Sequence, residues 1–109
     1  MDNVIVTTTN SIESKEIIEY KGIIFGEVVN GVDFIRDFAA GITNILGGRS
    51  SSYENELMLA RQNALDELKQ RAINLGANAV VGVKVDYETL GQNGSMLMVT
   101  ASGTAVVVK

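Results

Sequence analysis

The alternation of apolar and polar positions lays out the elements of this chain in order. Val4-Ile5-Val6-Thr7-Thr8-Thr9 is dense in β-branched residues and predicts a strand, which Asn10-Ser11 breaks. A longer extended stretch is predicted from Lys15 to Val29. Its even positions, Ile18, Tyr20, Gly22, Ile24, Gly26 and Val28, form an apolar face at period two. On the other face Glu19, Lys21 and Glu27 mix with Ile23 and Phe25, so that side is partly wet. Gly22 and Gly26 mark bends, or places where another backbone lies close. After the Asn30-Gly31 turn, Phe34, Phe38, Ile42 and Ile45 recur at helical spacing. They predict a short helix with Asp33 near its start and Gly47-Gly48 at its end.

The second helix is the most sharply drawn element. Ser51-Ser52-Tyr53-Glu54 fits a capping box, with Ser51 as N-cap and Glu54 three residues on. Tyr53, Leu57, Ala60, Ala64, Leu68, Ala72 and Leu75 then make one inward stripe, and Glu67 and Arg71 stand at i, i+4. Gly76 supplies the left-handed stop.

Two strands follow, Ala79–Leu90 and Ser95–Val108, joined through Gly91-Gln92-Asn93-Gly94. A three-residue loop with Gly94 in the left-handed region pairs Tyr87 with Val99 and Val85 with Ala101. A two-residue loop would slip the register and set Val85 against Ser102 or Thr100. In the preferred register Val81, Val83, Val85 and Tyr87 share one face with Leu97, Val99, Ala101, Gly103 and Ala105. The run Ala105-Val106-Val107-Val108 wants burial on both sides, for which a neighbouring subunit is the expected cover. The predicted architecture is a single α+β domain over 1–109: an antiparallel sheet packed against one long helix plus a short helix.

Composition sharpens that expectation. Hydrophobic residues make 46% of the chain, with 11 glycines besides, and charged residues only 20%. Soluble domains carry about 45–50% of hydrophobics and glycine together and about 25% charged residues. A small domain has too little interior for such a surplus, so burial between copies, a homo-oligomer, is expected. The net charge is −4 and the nine cations are scattered, which argues against nucleic acid and against a polybasic membrane anchor. The start Met1-Asp2-Asn3 has no basic region or apolar run of a signal peptide, and cytoplasm is the expected compartment. Without Cys or His there is no thiolate chemistry, no imidazole base and no imidazole metal ligand.

Several blocks carry a family resemblance. They are Gly31-Val32-Asp33-Phe34 with Arg36-Asp37, Gly47-Gly48-Arg49-Ser50 followed by Tyr53-Glu54, and Leu75 through Val83. Asp86-Tyr87-Glu88, Ser95 through Val99 and Gly103-Thr104-Ala105-Val106 complete the set. In this order and spacing they resemble the YbjQ-like family over nearly the whole chain. The resemblance implies a dodecin-like subunit, a helix on an antiparallel sheet, assembling into a pentameric ring. It implies no assigned activity and no cofactor. The family often carries a heavy-metal-binding label, with no site residues to transfer.

Two candidate sites follow from the residues themselves. Gly48, Arg49 and Ser50, before the long helix, combine free amides, the positive helix end and a guanidinium that together could hold a phosphate or carboxylate. The spacing is not that of a P-loop. A tight helix–helix turn with serine caps explains every residue there except Arg49. Asp86, Glu88 and Met98 converge in the preferred register on a mixed carboxylate–thioether cation site. The plain alternative is exposed carboxylates beside methionines that fill gaps. Soft metals select thiolate and thioether ligands and borderline ions favour imidazole, so the heavy-metal label sits poorly on this composition. No motif announces an enzyme.

Overall fold

The computed structural model describes residues 4–30, 51–90 and 96–109. The short helix predicted from Phe34 to Ile45, the Gly47-Gly48 stop, Gly48-Arg49-Ser50 and the Gly91–Gly94 loop lie outside the described residues, as do the side chains of Ser51, Ser52 and Tyr53 in the capping box.

Strands β1 (Ile5–Val6), β2 (Ile17–Asn30), β3 (Ala79–Leu90) and β4 (Met96–Val108) form one sheet in the order β1-β3-β4-β2, with helix α1 (Ser51–Asn74) packed on it. The sheet is mixed, which corrects the all-antiparallel expectation: β1 runs parallel to β3, while β3–β4 and β4–β2 are antiparallel. The parallel pairing follows from the route of the chain, which leaves β1, builds β2 on the far edge and returns through α1. Beyond Val6 the ladder continues irregularly, Val83 N–H donating to the Thr7 carbonyl and Gly82 N–H to that of Thr9.

The helix stripe forms as predicted over its middle. Ala60, Ala64, Leu68 and Ala72 are at most 2% exposed, and Leu57 packs beside them. Leu75 departs from the expectation at 44% exposure, because the helix has ended before it. Gly76, at φ +82°, ends the helix: its N–H bonds the Ile73 carbonyl while Ala77 N–H bonds that of Ala72. The small residues of the stripe allow close approach to β2. A Cβ at Gly26 would stand 2.1 Å from the Ala64 carbonyl oxygen, so only glycine lets this strand slide under the helix.

The hairpin register is the predicted one, with Val85 opposite Ala101 and Tyr87 opposite Val99. One residue on its inner face is corrected. A bulge between Val81 and Lys84, with Gly82 at φ +63°, reverses the alternation. Val80 and Val83 therefore face the helix, whereas Val81 faces the opposite side. Gly103 completes this arrangement, since a Cβ there would meet the Val80 and Val83 side chains at 2.7 and 3.0 Å.

On β2 the even face holds for Ile24, Gly26 and Val28 but fails for Ile18 and Tyr20, which are 54% and 71% exposed. Register shifts at Ile17/Glu19 and Tyr20/Gly22 break the period. The end of β4 is a further correction. Val106 and Val108 are buried inside the single chain, in a second small core with Ala79 and Val81 beneath Ile12 and Ile17. The chain's own entry into β2, from Ile12 to Ile17, covers them rather than a neighbour. It is pinned there by reciprocal backbone bonds between Glu16 and Lys109 of 3.1 and 2.9 Å.

Candidate functional site

The sheet face turned away from α1 carries the described candidate residues. Cross-strand pairing sets them in rows. Val29, Met98 and Glu88 form one; Glu27, Thr100 and Asp86 the next; Phe25, Ser102 and Lys84 a third. Each strand thus contributes a column of its own character: mostly apolar on β2, hydroxyl-bearing on β4 and charged on β3. The apolar column is exposed, with Ile23 at 73%, Val29 at 53% and Phe25 at 47%. A sheet of 12 to 14-residue strands is roughly 40–45 Å long. One helix laid on its other face does nothing for this side.

Asp86, Glu88 and Met98 come together as the register predicted. They line an open groove of about 440 Å³ with Tyr87 and Thr100. Met98 stands directly opposite Glu88, and Asp86 opposite Thr100. Asp86 also lies 3.5 Å from the Lys84 ammonium, both side chains well exposed. No group of three or more carboxylate, thiol or imidazole side chains that could hold a metal occurs among the described residues. Two carboxylates at i, i+2 on an exposed strand and one thioether are a hard, oxygen-rich set. They do not fit a soft metal, which selects sulfur and nitrogen ligands.

A second polar constellation, partly missed in the sequence, binds the helix to the edge of the sheet. Arg71 makes the expected i, i+4 pair with Glu67, and it also donates to Glu27 Oε1 at 2.7 Å and to the backbone carbonyl of Phe25. Its guanidinium pKa is raised, chiefly by the hydrogen bond with Glu27 and then by the charge of Glu67, which stabilise the charged form. A raised pKa keeps its contribution below the ordinary arginine value and loses it only in strong alkali. Ordinary pH changes therefore do not release the clamp through Arg71. Asn78 was also missed. Its side chain donates to the Val108 carbonyl at 2.9 Å and accepts from Val108 N–H at 2.8 Å, replacing a strand residue in the ladder. The sequence gives only an Asn after a helix stop, a pattern that capping alone explains.

The fold and this face define a class: a small α+β domain, four mixed strands under one long helix, with a broad unpartnered sheet face and no enclosed active site among the described residues. Comparison places it further. The chain belongs to the YbjQ family, whose model, described as "Putative heavy-metal-binding", matches residues 4–109. It is 69% identical over 105 residues to a UPF0145 protein of Clostridium kluyveri and 67% identical over 105 residues to one of Acetivibrio thermocellus. In both cases 96% of this chain and 99% of the relative are covered. A UPF0145 protein of Listeria ivanovii is 60% identical over 105 residues, covering 96% of each. Among solved structures, a Pediococcus pentosaceus protein of unknown function in the DUF74 family superposes with a TM-score of 0.66 at 18% identity. The match covers 97% of this chain and 98% of that one. It shows a shared fold. No helix among the described residues is long and apolar enough to cross a membrane.

Proposed function

We propose that this protein acts as a self-assembling subunit whose bare sheet face is covered by other copies of itself, in a ring that the family resemblance puts at five. The observation that carries this reading is the exposed apolar column Ile23, Phe25 and Val29 on the longest strand of the sheet. Exposing it in water is unfavourable by roughly 25 cal/mol per Å² of apolar area, and burial against a copy removes that penalty. On this reading the subunit is a binding module. Asp86, Glu88 and Met98 share the same face, so a neighbour closing over it would add the ligands that this chain does not supply for a hard cation. The Gly48-Arg49-Ser50 segment is the corresponding proposal for a small anion. An assembly with no small ligand is the second reading, favoured by the openness of the Asp86–Glu88 groove.

Native mass spectrometry of untagged protein, with and without calcium or manganese, separates these readings. A ring whose mass rises by a stoichiometric ion, lost in Asp86→Asn/Glu88→Gln, supports the binding module. A ring indifferent to both ions leaves assembly alone, and a monomer at every concentration rejects both.

A further inference from the structure

The long strand β2 lies at an edge of the sheet and carries exposed Ile18, Tyr20, Ile23, Phe25 and Val29. An apolar edge of 14 residues is a template for indefinite strand addition, the hazard that sheet proteins must manage. Two features of this chain act against it. The first half of β2 is interrupted by register shifts at Ile17/Glu19 and Tyr20/Gly22, with Gly22 at φ +121°, so no straight partner strand fits there. From Gly22 onward the pairing with β4 is regular to Asn30, and bulges no longer protect the edge. It is there that Arg71 reaches down from α1, donating to the Phe25 carbonyl and to Glu27 while Glu67 holds it from its other side.

We infer that Arg71 is an edge guard, occupying the outward Phe25 carbonyl and covering the regular half of β2 so that no further strand can add to it. The position of Gly26 supports this. The helix backbone rests on the strand at that residue, which brings position 71 one turn beyond Leu68 to the free edge. A surface ion pair alone would contribute little to stability, and three acceptors of different origin gathered on one guanidinium are better explained by what they shield. The proposal separates two modes of contact. Association through the outer face uses side chains and leaves the edge closed, whereas strand addition would use the edge and has no natural end. It holds whether or not the wild type self-associates through its face.

Arg71→Ala tests it, with Arg71→Lys and Leu65→Ala alongside. Leu65 packs against the helix-side core and takes no part in the Arg71 hydrogen bonds, so its truncation loosens the same helix–sheet contact by another route. Each variant is brought to the same folded fraction by circular dichroism. Size distribution is then followed by sedimentation velocity, and backbone protection of residues 23–29 by hydrogen exchange. The expected result is growth of large species in Arg71→Ala, with increased protection of residues 23–29, an intermediate effect for Arg71→Lys and none for Leu65→Ala. Should Arg71→Ala not fold, the lysine variant decides. Wild-type size and exchange in the folded arginine variants, or equal growth in Leu65→Ala, would overturn the inference.

Discussion

The two faces of the sheet are built from the same three long strands and meet opposite fates. On the helix side, Ala64, Leu68, Ala72, Val99, Ala101 and Ala105 are fully buried, because small residues on α1 and a glycine on β2 bring the layers into contact. On the other side the described residues close only one end, where Ile12 and Ile17 cover Val106 and Val108. The rest stands open, with Ile23 and Phe25 in solvent next to a column of threonine and serine. Apolar content alone does not distinguish them. Cover does, and it comes from sequence-distant segments that one chain of this length has in limited supply.

Substitutions on either side should break or sharpen that contrast. The largest effect belongs to the helix face. Leu68→Ala should lower unfolding free energy by about 2–5 kcal/mol in urea titration, since the side chain is wholly enclosed. Ile23→Ala, of similar chemistry on the bare face, should change monomer stability by less than about 0.5 kcal/mol. Comparable losses at both positions would erase the distinction.

Where the closed end of the outer face meets the helix stop, Asn78→Ala should cost about 1–3 kcal/mol by leaving the part-buried Val108 backbone groups unpaired. Faster hydrogen exchange at Val108 would localise the loss. The smallest effect is a gain. Ser14 sits at φ +68° in the turn that leads the covering segment into β2, a region that disfavours residues with a Cβ. Ser14→Gly should relieve roughly 1 kcal/mol of that strain, less the added freedom of the unfolded chain, and raise the melting temperature slightly.

The sequence made the helix face legible and the outer face only half so. Helical spacing named Ala60, Ala64, Leu68 and Ala72, and hairpin arithmetic put Met98 opposite Glu88, because both depend on neighbours within one element or one turn. Gly26 was readable as a close approach, though not as an approach to Ala64. The bulge at Gly82 was not readable. It depends on the irregular pairing with Thr7 and Thr9, some seventy residues away in the chain, which no local period encodes. The cover of Val106 and Val108 failed for the same reason: a two-sided apolar strand says that burial is needed and not who provides it. Arg71 showed its local partner Glu67, while Glu27 and the Phe25 carbonyl entered only once the helix lay on the strand. For the candidate cation site, alternation supplied the geometry. The missing thiol and imidazole groups already told against soft metals.

Sedimentation velocity from concentrated to dilute protein, for the wild type and for Ile23→Glu/Phe25→Glu, tests the central claim most directly. The account predicts a discrete oligomer for the wild type and a folded monomer for the double variant, whose new charges cannot be buried against a copy. A wild type that stays a soluble, folded monomer throughout, or a double variant that assembles like the wild type, would contradict it.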